Sequence, residues 1–155
     1  MSGPPGERES GPVTGLAHVA IVVEDADATV AAFVAALGAT RGRDELLDAG
    51  TLRVVFLHLG PLTLELLEPK SPDHTVARFL AARGPGLHHL SLEVADLDSA
   101  LARARAAGVR LVDETPRAGA HGRLVAFLHP KSLGGVLLEL CEAASRHRGD
   151  DSSSR

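Results

Sequence analysis

Two histidines and two glutamates occupy matched positions in two similar parts of the chain. His18 is followed 71 residues later by His89 within a repeated Gly-Leu-X-His segment, and Glu65 is followed 74 residues later by Glu139 within a repeated Leu-Glu-Leu triplet. Imidazole and carboxylate groups are common ligands of divalent metal ions. If the two copies pack about a pseudo-twofold axis, the four side chains come together, and the sequence therefore predicts a metal site.

Other histidines compete for this assignment. His58 and His129 are also matched, because each follows a Phe-Leu pair at the same spacing. Both lie at the end of a predicted strand, where contact with solvent or substrate is expected, and they remain the alternative ligands. His88 neighbours His89, but the alternation of side chains along a strand predicts that it points to the opposite face, so that both cannot bind one ion.

The two glutamates are placed by the same alternation. Leu64 and Leu66 are expected to point to one face of their strand and Glu65 to the other, and Glu139 has the same relation to its two flanking leucines. Each carboxylate is therefore expected on the concave side of the sheet, away from the helices. Because an unpaired carboxylate is costly to bury in an apolar strand, a bound cation is the simplest explanation.

The apolar pattern predicts the elements that position these residues. A strand at 16–23 is followed by a helix that Asp25 or Asp27 can cap and that Gly38 can end. The other predicted elements are strands at 40–47, 51–59 and 62–68, a linker helix at 75–83 capped by Asp73, a strand at 86–94, a helix at 97–107, and strands at 109–113, 122–129 and 135–141. This order describes two βαβββ modules, at about 13–68 and 86–142, and an α+β fold.

Composition bounds the size of the fold and the kinds of partner. With 155 residues, 45% of them hydrophobic, the chain can form a single domain, expected at 13–142 between disordered tails at 1–12 and 143–155. A net charge of −4 and the absence of Trp and Tyr argue against nucleic acid as a partner. A single cysteine, Cys141, no signal-peptide pattern and no membrane-spanning apolar run indicate a cytoplasmic protein without a membrane partner.

The repeat and its flanking motifs resemble the vicinal oxygen chelate superfamily, the glyoxalase-like fold, and within it the methylmalonyl-CoA epimerase family. The resemblance covers nearly the whole predicted domain and is carried by the segments 17–23, 64–69, 86–94, 116–122, 127–132 and 134–140. It implies that the two modules form a cupped, barrel-like mixed sheet about a pseudo-twofold axis. It also implies metal ligands at His18, Glu65, His89 and Glu139.

The same resemblance implies an activity, the metal-dependent epimerisation of (2R)- and (2S)-methylmalonyl-CoA by 1,1-proton transfer through a metal-stabilised enolate. Glu139 is then expected to act as one acid–base group. Glu45 and Asp48 are candidates for the second by sequence proximity alone, since some relatives have a glutamate where this chain has Val54. A charge that simply faces solvent, on an edge strand or in a turn, is the competing explanation for both.

The remaining expectations concern cofactor, substrate and partner. Lys131, Arg117 and Gly119 are candidates to contact the coenzyme A phosphates, with a solvated loop as the alternative for each. One divalent ion per chain is expected, Co²⁺ first, with Mn²⁺, Mg²⁺, Ni²⁺ or Zn²⁺ as alternatives. A homodimer that buries apolar edge strands is also expected. A glyoxalase-type lyase, a ring-cleaving dioxygenase and a non-enzymatic ligand-binding module are the alternative functions.

Overall fold

One mixed β-sheet runs through residues 11–143, the part of the chain that the computed structural model describes. Residues 1–10 and 144–155, which hold most of the two expected tails, lie outside the described residues. The strands are β1 (Val13–Val22), β2 (Thr40–Leu47), β3 (Leu52–Leu59), β4 (Leu62–Pro69), β5 (Gly86–Val94), β6 (Arg117–Ala118), β7 (Leu124–Leu128) and β8 (Leu138–Glu142). The helices are α1 (Ala26–Leu37), α2 (Thr75–Arg83) and α3 (Leu97–Ala106), with 3₁₀ turns at Asp48–Gly50, Ala120–Gly122 and Pro130–Ser132.

The strand order reproduces the sequence repeat. The eight strands follow the order β2-β3-β4-β1-β5-β8-β7-β6, so each module supplies four adjacent strands and the second half mirrors the first. Within each module the first strand pairs in parallel with the last, β1 with β4 and β5 with β8, while β1 and β5 pair antiparallel at the centre. The predicted α+β fold of two βαβββ modules in a curled mixed sheet is confirmed.

The helices begin and end largely where the sequence predicts. The Asp25 carboxylate accepts a hydrogen bond from the backbone N–H of Ala28 and caps α1, and Gly38 ends that helix at φ 67°. The predicted cap of α2 was wrong. His74, not Asp73, occupies the N-cap position, and its Nδ1 accepts the N–H of Val76 at 3.1 Å.

Helices α1 and α3 cover one face of the sheet and leave the two glutamates on the other. Leu64 and Leu66 of β4 pack in the cluster that contains Val30 of α1, whereas Leu138 and Leu140 of β8 pack in the cluster of α3. Glu65 and Glu139 therefore point away from the helices, as the alternation of side chains predicts. Among the described helices, none has the length and apolar character that crossing a bilayer requires.

One predicted strand is absent from the second module. Residues 109–113 form only an isolated bridge, between Leu111 and Leu128, and the edge strand is instead Arg117–Ala118, paired with β7. The backbone N–H groups of Val112 and Asp113 both point to the carbonyl of Phe127, and the Asp113 carboxylate accepts the Phe127 N–H at 2.8 Å. Because a side chain takes the place of a backbone partner, the strand ladder cannot continue there.

Candidate metal centre

The four predicted ligands lie on four adjacent strands at the centre of the sheet. Glu65 is on β4, His18 on β1, His89 on β5 and Glu139 on β8. All four residues are buried, with relative exposures between 6% and 9%. Because central strands are fixed by pairing on both sides, the four side chains are held by the sheet itself rather than by loops.

The donor atoms of these residues converge. His18 Nε2 lies 2.6 Å from Glu65 Oε2, 3.3 Å from His89 Nε2 and 3.5 Å from Glu139 Oε1. His89 Nε2 lies 3.9 Å from Glu139 Oε2. Donor atoms of His18, His89 and Glu139 all fall within 4.8 Å of one another, and Glu65 joins the group through His18.

This arrangement fits a divalent metal ion. Two nitrogen ligands that are each about 2.0–2.1 Å from one ion lie a little over 3 Å apart, close to the separation of the two Nε2 atoms. Two buried carboxylates beside each other are unfavourable unless positive charge compensates them. Imidazole and carboxylate ligands suit zinc and the harder divalent ions, and thiolates are absent from the group, since Cys141 is not among these donor atoms.

Burial and mutual charge shift the ionisation of these groups. Burial, together with repulsion from the positive charge of His18, lowers the pKa of His89 to about 2, so its imidazole is neutral and can bind a metal. Burial opposes protonation of His18, but the hydrogen bond and negative charge of Glu65 outweigh it and raise the His18 pKa. Burial, reinforced by the charge of Glu65, raises the pKa of Glu139.

The expected orientation of His88 was wrong. In the pairing of β1 with β5, Ala20 is opposite His89 and Ile21 is opposite Leu87, so His88 is the extra residue of a β-bulge. The bulge turns its ring to the same side as its neighbour, and the Nδ1 atoms of His88 and His89 lie 2.8 Å apart. Because Nε2 of His89 faces the other ligands, His88 can accept the proton on Nδ1 of His89 and fix that tautomer.

Ser91 lies on the same face of β5 as His89, as strand alternation predicts, and contacts Glu139. Its hydroxyl donates to Glu139 Oε1 at 2.7 Å, and the residue is fully buried opposite Glu139 on the neighbouring strand. In the first copy of the repeat Ala20 stands at this position, and Ala17 stands where the second copy has His88. At both positions only the second copy has a polar side chain, which contacts His89 or Glu139.

The competing histidine pair does not join the cluster. His58 is exposed, and its Nδ1 atom lies 3.4 Å from the Thr63 hydroxyl. It lines a cavity of about 160 Å³ that His18 also lines. Nδ1 of His129 accepts the N–H of Lys131 at the start of a 3₁₀ turn. Neither belongs to the convergent set of donor atoms.

A larger cavity of about 670 Å³ opens on the other side of the ligands. Its wall includes Glu65, His89 and Glu139, and Asp48 also lines it. Glu45 is not among the lining residues. Instead its carboxylate lies 3.2 Å from Nε2 of His121 and accepts the backbone N–H of the same residue at 3.3 Å.

Of the three residues predicted to contact coenzyme A, two line the larger cavity and one does not. Arg117 and Gly119 line the larger cavity, whereas Lys131 is exposed on a 3₁₀ turn and does not. A Cβ atom at Gly119 would lie 2.9 Å from a methyl group of Val125, so only glycine allows the chain to pass so close to β7. The Arg117 guanidinium lies 5.4 Å above the centre of the Phe127 ring.

Known proteins share this architecture. A family model described as the Glyoxalase/Bleomycin resistance protein/Dioxygenase superfamily matches residues 17–127. A mitochondrial methylmalonyl-CoA epimerase from Bos taurus is 38% identical over 138 residues, which are 86% of this chain and 79% of that protein.

Solved structures agree over most of the chain. A methylmalonyl-CoA epimerase from Mycobacterium tuberculosis is 37% identical, with a TM-score of 0.84 over 90% of this chain and 95% of that one. A methylmalonyl-CoA epimerase in complex with methylmalonyl-CoA and NH4+ is 36% identical, with a TM-score of 0.80 over 86% of this chain and 96% of that one. The chain therefore belongs to the glyoxalase/bleomycin resistance/dioxygenase superfamily and, within it, to the methylmalonyl-CoA epimerase family.

Proposed function

We propose that this protein interconverts the (2R) and (2S) epimers of methylmalonyl-CoA and requires a divalent metal ion to do so. The main support is the convergence of His18, His89 and Glu139, with Glu65 paired to His18. Three of these residues, Glu65, His89 and Glu139, line a cavity large enough for an acyl group. The family membership and a solved relative that holds methylmalonyl-CoA support the choice of substrate.

The reaction sets an electrostatic problem that this site can solve. The α-carbon of methylmalonyl-CoA lies between a thioester and a carboxylate, so loss of its proton places new negative charge beside existing charge. A divalent ion held by His18, Glu65, His89 and Glu139 would supply compensating positive charge at the thioester oxygen and the carboxylate. The sheet contributes rigidity, because all four side chains project from paired central strands.

Inversion also needs a base on one face of the α-carbon and an acid on the other. We assign Glu139 to one role, since burial raises its pKa and the Ser91 hydroxyl fixes its Oε1 atom. We assign Asp48 to the other, because it lines the same cavity. Glu45 is the weaker candidate, since its carboxylate is held by His121 outside that cavity.

Arg117 and the backbone around Gly119 are proposed to meet the coenzyme A portion. Both line the larger cavity, and the Arg117 side chain is about half exposed, so its charge is available to a phosphate. Lys131 makes no contact with that cavity in the described structure, and its role in binding coenzyme A stays a prediction.

Co²⁺ is the ion that we propose first. The mixture of imidazole and carboxylate donors also accommodates Mn²⁺, Mg²⁺, Ni²⁺ and Zn²⁺, whose relative affinities follow the Irving–Williams order rather than the needs of the reaction. Reconstituting the metal-free protein with each ion in turn, and measuring turnover at equal occupancy, ranks them.

A homodimer is the proposed assembly, and burial of its edge strands stays a prediction, although neither edge strand is mainly apolar. The edge strand β2 carries four charged residues among its eight, and the other edge, β6, has only two residues. Exposed leucines occur on the edge strand β2, Leu46 at 64%, and on the central strands β1 and β5, Leu16 at 48%, Leu87 at 73% and Leu90 at 36%. We expect Leu87→Glu to shift the protein from dimer to monomer in sedimentation at micromolar concentration, and a monomeric wild type contradicts the proposal.

We also keep a cytoplasmic location as a proposal. The only cysteine, Cys141, is free and buried, and burial raises its pKa to about 11, which fits a thiol in a reducing compartment. Fractionation of cells that express the tagged protein tests the location.

The experiment that tests the function starts from one pure epimer. The metal-loaded protein should convert this epimer to a mixture of both epimers, whereas protein stripped of metal by a chelator should leave it unchanged. Chiral separation of the products measures the conversion. If the loaded wild-type protein leaves the epimer unchanged, the proposed activity is wrong, and a lyase or a ligand-binding module becomes the better explanation.

A further inference from the structure

Asp48 and His74 form a hydrogen-bond contact on the wall of the larger cavity. Oδ2 of Asp48 lies 2.8 Å from Nε2 of His74, and both residues line the cavity that His89 and Glu139 also reach. The two residues come from different elements, since Asp48 begins the 3₁₀ turn between β2 and β3 and His74 caps helix α2. The linker between the modules therefore touches the proposed second acid–base group.

The protonation of the His74 ring follows from its two contacts. Its Nδ1 accepts the backbone N–H of Val76 at 3.1 Å, so that nitrogen carries no proton. The proton of the neutral ring must then be on Nε2, where it is donated to Asp48. One side chain thus caps α2 and donates a hydrogen bond to a carboxylate at the same time.

The backbone at Asp48 adds a second constraint. Asp48 and Ala49 have φ values of 51° and 55°, in the left-handed region that residues other than glycine seldom occupy. The Asp48 carbonyl accepts hydrogen bonds from both the N–H and the hydroxyl of Thr51, at 3.2 and 2.7 Å, which hold the turn. The carboxylate itself is 52% exposed, whereas the His74 side chain is only 13% exposed. An exposed carboxylate is thus hydrogen-bonded to a largely covered side chain.

We propose that His74 is a positioning residue that holds Asp48 as the second acid–base group, an inference that rests on the epimerase activity proposed above. The bond from Nε2 engages Oδ2, and within the described residues no protein group donates to Oδ1. Oδ1 is then free to take the α-proton of one epimer, leaving the electron pair of the C–H bond on the substrate enolate. Glu139 delivers a proton to the opposite face, and both carboxyls re-equilibrate with solvent protons.

The chain offers a matched pair of variants. His74→Ser keeps an oxygen that can cap α2 but removes the donor to Asp48. His129→Ser makes the same change at a second histidine cap, where Nδ1 accepts the N–H of Lys131 at 3.1 Å and neither residue lines the larger cavity. Comparing the two separates the loss of a histidine cap from the loss of the Asp48 contact.

We expect His74→Ser to lower kcat roughly tenfold to a hundredfold with unchanged metal content and melting temperature, and His129→Ser to leave kcat unchanged. Exchange of the α-proton with deuterated solvent should fall selectively for the epimer that Asp48 serves, while exchange of the epimer served by Glu139 continues. A purely structural effect would slow both exchanges. The double variant with Asp48→Asn should be no slower than Asp48→Asn alone, because His74 acts through Asp48.

The hydrogen bond has its own readout that does not depend on turnover. A long-range ¹H–¹⁵N spectrum of the wild type should show His74 protonated on Nε2 only, and the resonance should shift in Asp48→Ala. The inference is overturned if the ring is protonated on Nδ1, if His74→Ser turns over like the wild type, or if it slows both exchanges equally. If the wild-type protein interconverts no epimers, the proposed activity itself is wrong. If the wild type is active but one of these three results is obtained, only the role of His74 is wrong.

Discussion

The Nε2 atoms of His18 and His89 lie 3.3 Å apart across the central pair of strands, although 71 residues separate them in the chain. The antiparallel register places Ala20 opposite His89 and His18 opposite Ser91, so each imidazole projects from its own module at the line where the modules meet. The repeat in the sequence thus places two imidazoles face to face in the structure.

Loss of one of these imidazoles should abolish metal binding. We expect His89→Ala to reduce the metal from about one ion per chain to a small fraction of that, because one nitrogen ligand is removed from a four-ligand set. Elemental analysis of purified protein measures the stoichiometry. His58→Ala is the control, since His58 lies outside the convergent donor atoms, and a His89 variant that keeps wild-type affinity would remove His89 from the site.

The variant Glu139→Gln distinguishes a metal-binding role of Glu139 from an acid–base role. The amide keeps an oxygen that can bind the metal and accept from Ser91, but it cannot take or give a proton at the α-carbon. Turnover should fall at least roughly a hundredfold, while the metal remains bound with an affinity at most about tenfold weaker. Steady-state kinetics at saturating metal provides the test, and near-normal kcat would limit Glu139 to a ligand role.

The variants Asp48→Asn and Glu45→Gln should differ sharply in turnover. Asp48 lines the larger cavity and Glu45 is held by His121, so only the first change should impair proton transfer. We expect kcat to fall roughly a hundredfold in Asp48→Asn and less than about threefold in Glu45→Gln. The opposite order would transfer the second acid–base role to Glu45.

Acid should destabilise the metal-free protein through His89. Its pKa is lowered from 6.5 to about 2 in the fold, so the stability that it contributes is present above pH 6.5 and is lost as the pH falls. Between pH 7 and pH 5, wild type should lose roughly 2 kcal/mol more free energy of unfolding than His89→Gln. Urea unfolding of both proteins in chelator checks this, and parallel pH curves would contradict it.

Much of the site could be predicted from the repeat and from the alternation of strand side chains. Together they place His18, His89, Glu65 and Glu139 on one face of neighbouring strands, and the structure brings these four together. The cap at Asp25 could also be predicted, because an aspartate just before a helix accepts a hydrogen bond from a free backbone N–H of its first turn.

The supporting contacts could not be predicted in this way. The bulge at His88 turns this residue to the other face of its strand, and no residue type in the sequence indicates it. The Asp113 carboxylate ends a strand that the apolar pattern of residues 109–113 favours. The contact of Asp48 with His74 depends on a left-handed turn and on where α2 docks, neither of which follows from local propensity. Alternation places Ser91 on the face of His89, but its contact with Glu139 depends on the register between β5 and β8.

Deuterium incorporation tests the proposed proton transfer most directly. When the metal-loaded protein receives one epimer of methylmalonyl-CoA in deuterated water, we expect the opposite epimer to form with one deuterium at the α-carbon, as seen by mass spectrometry and loss of the α-proton signal. The reason is that the group that returns the proton has exchanged with solvent. Absence of the opposite epimer, or its formation with the original proton retained, would contradict proton transfer between two separate groups at this site.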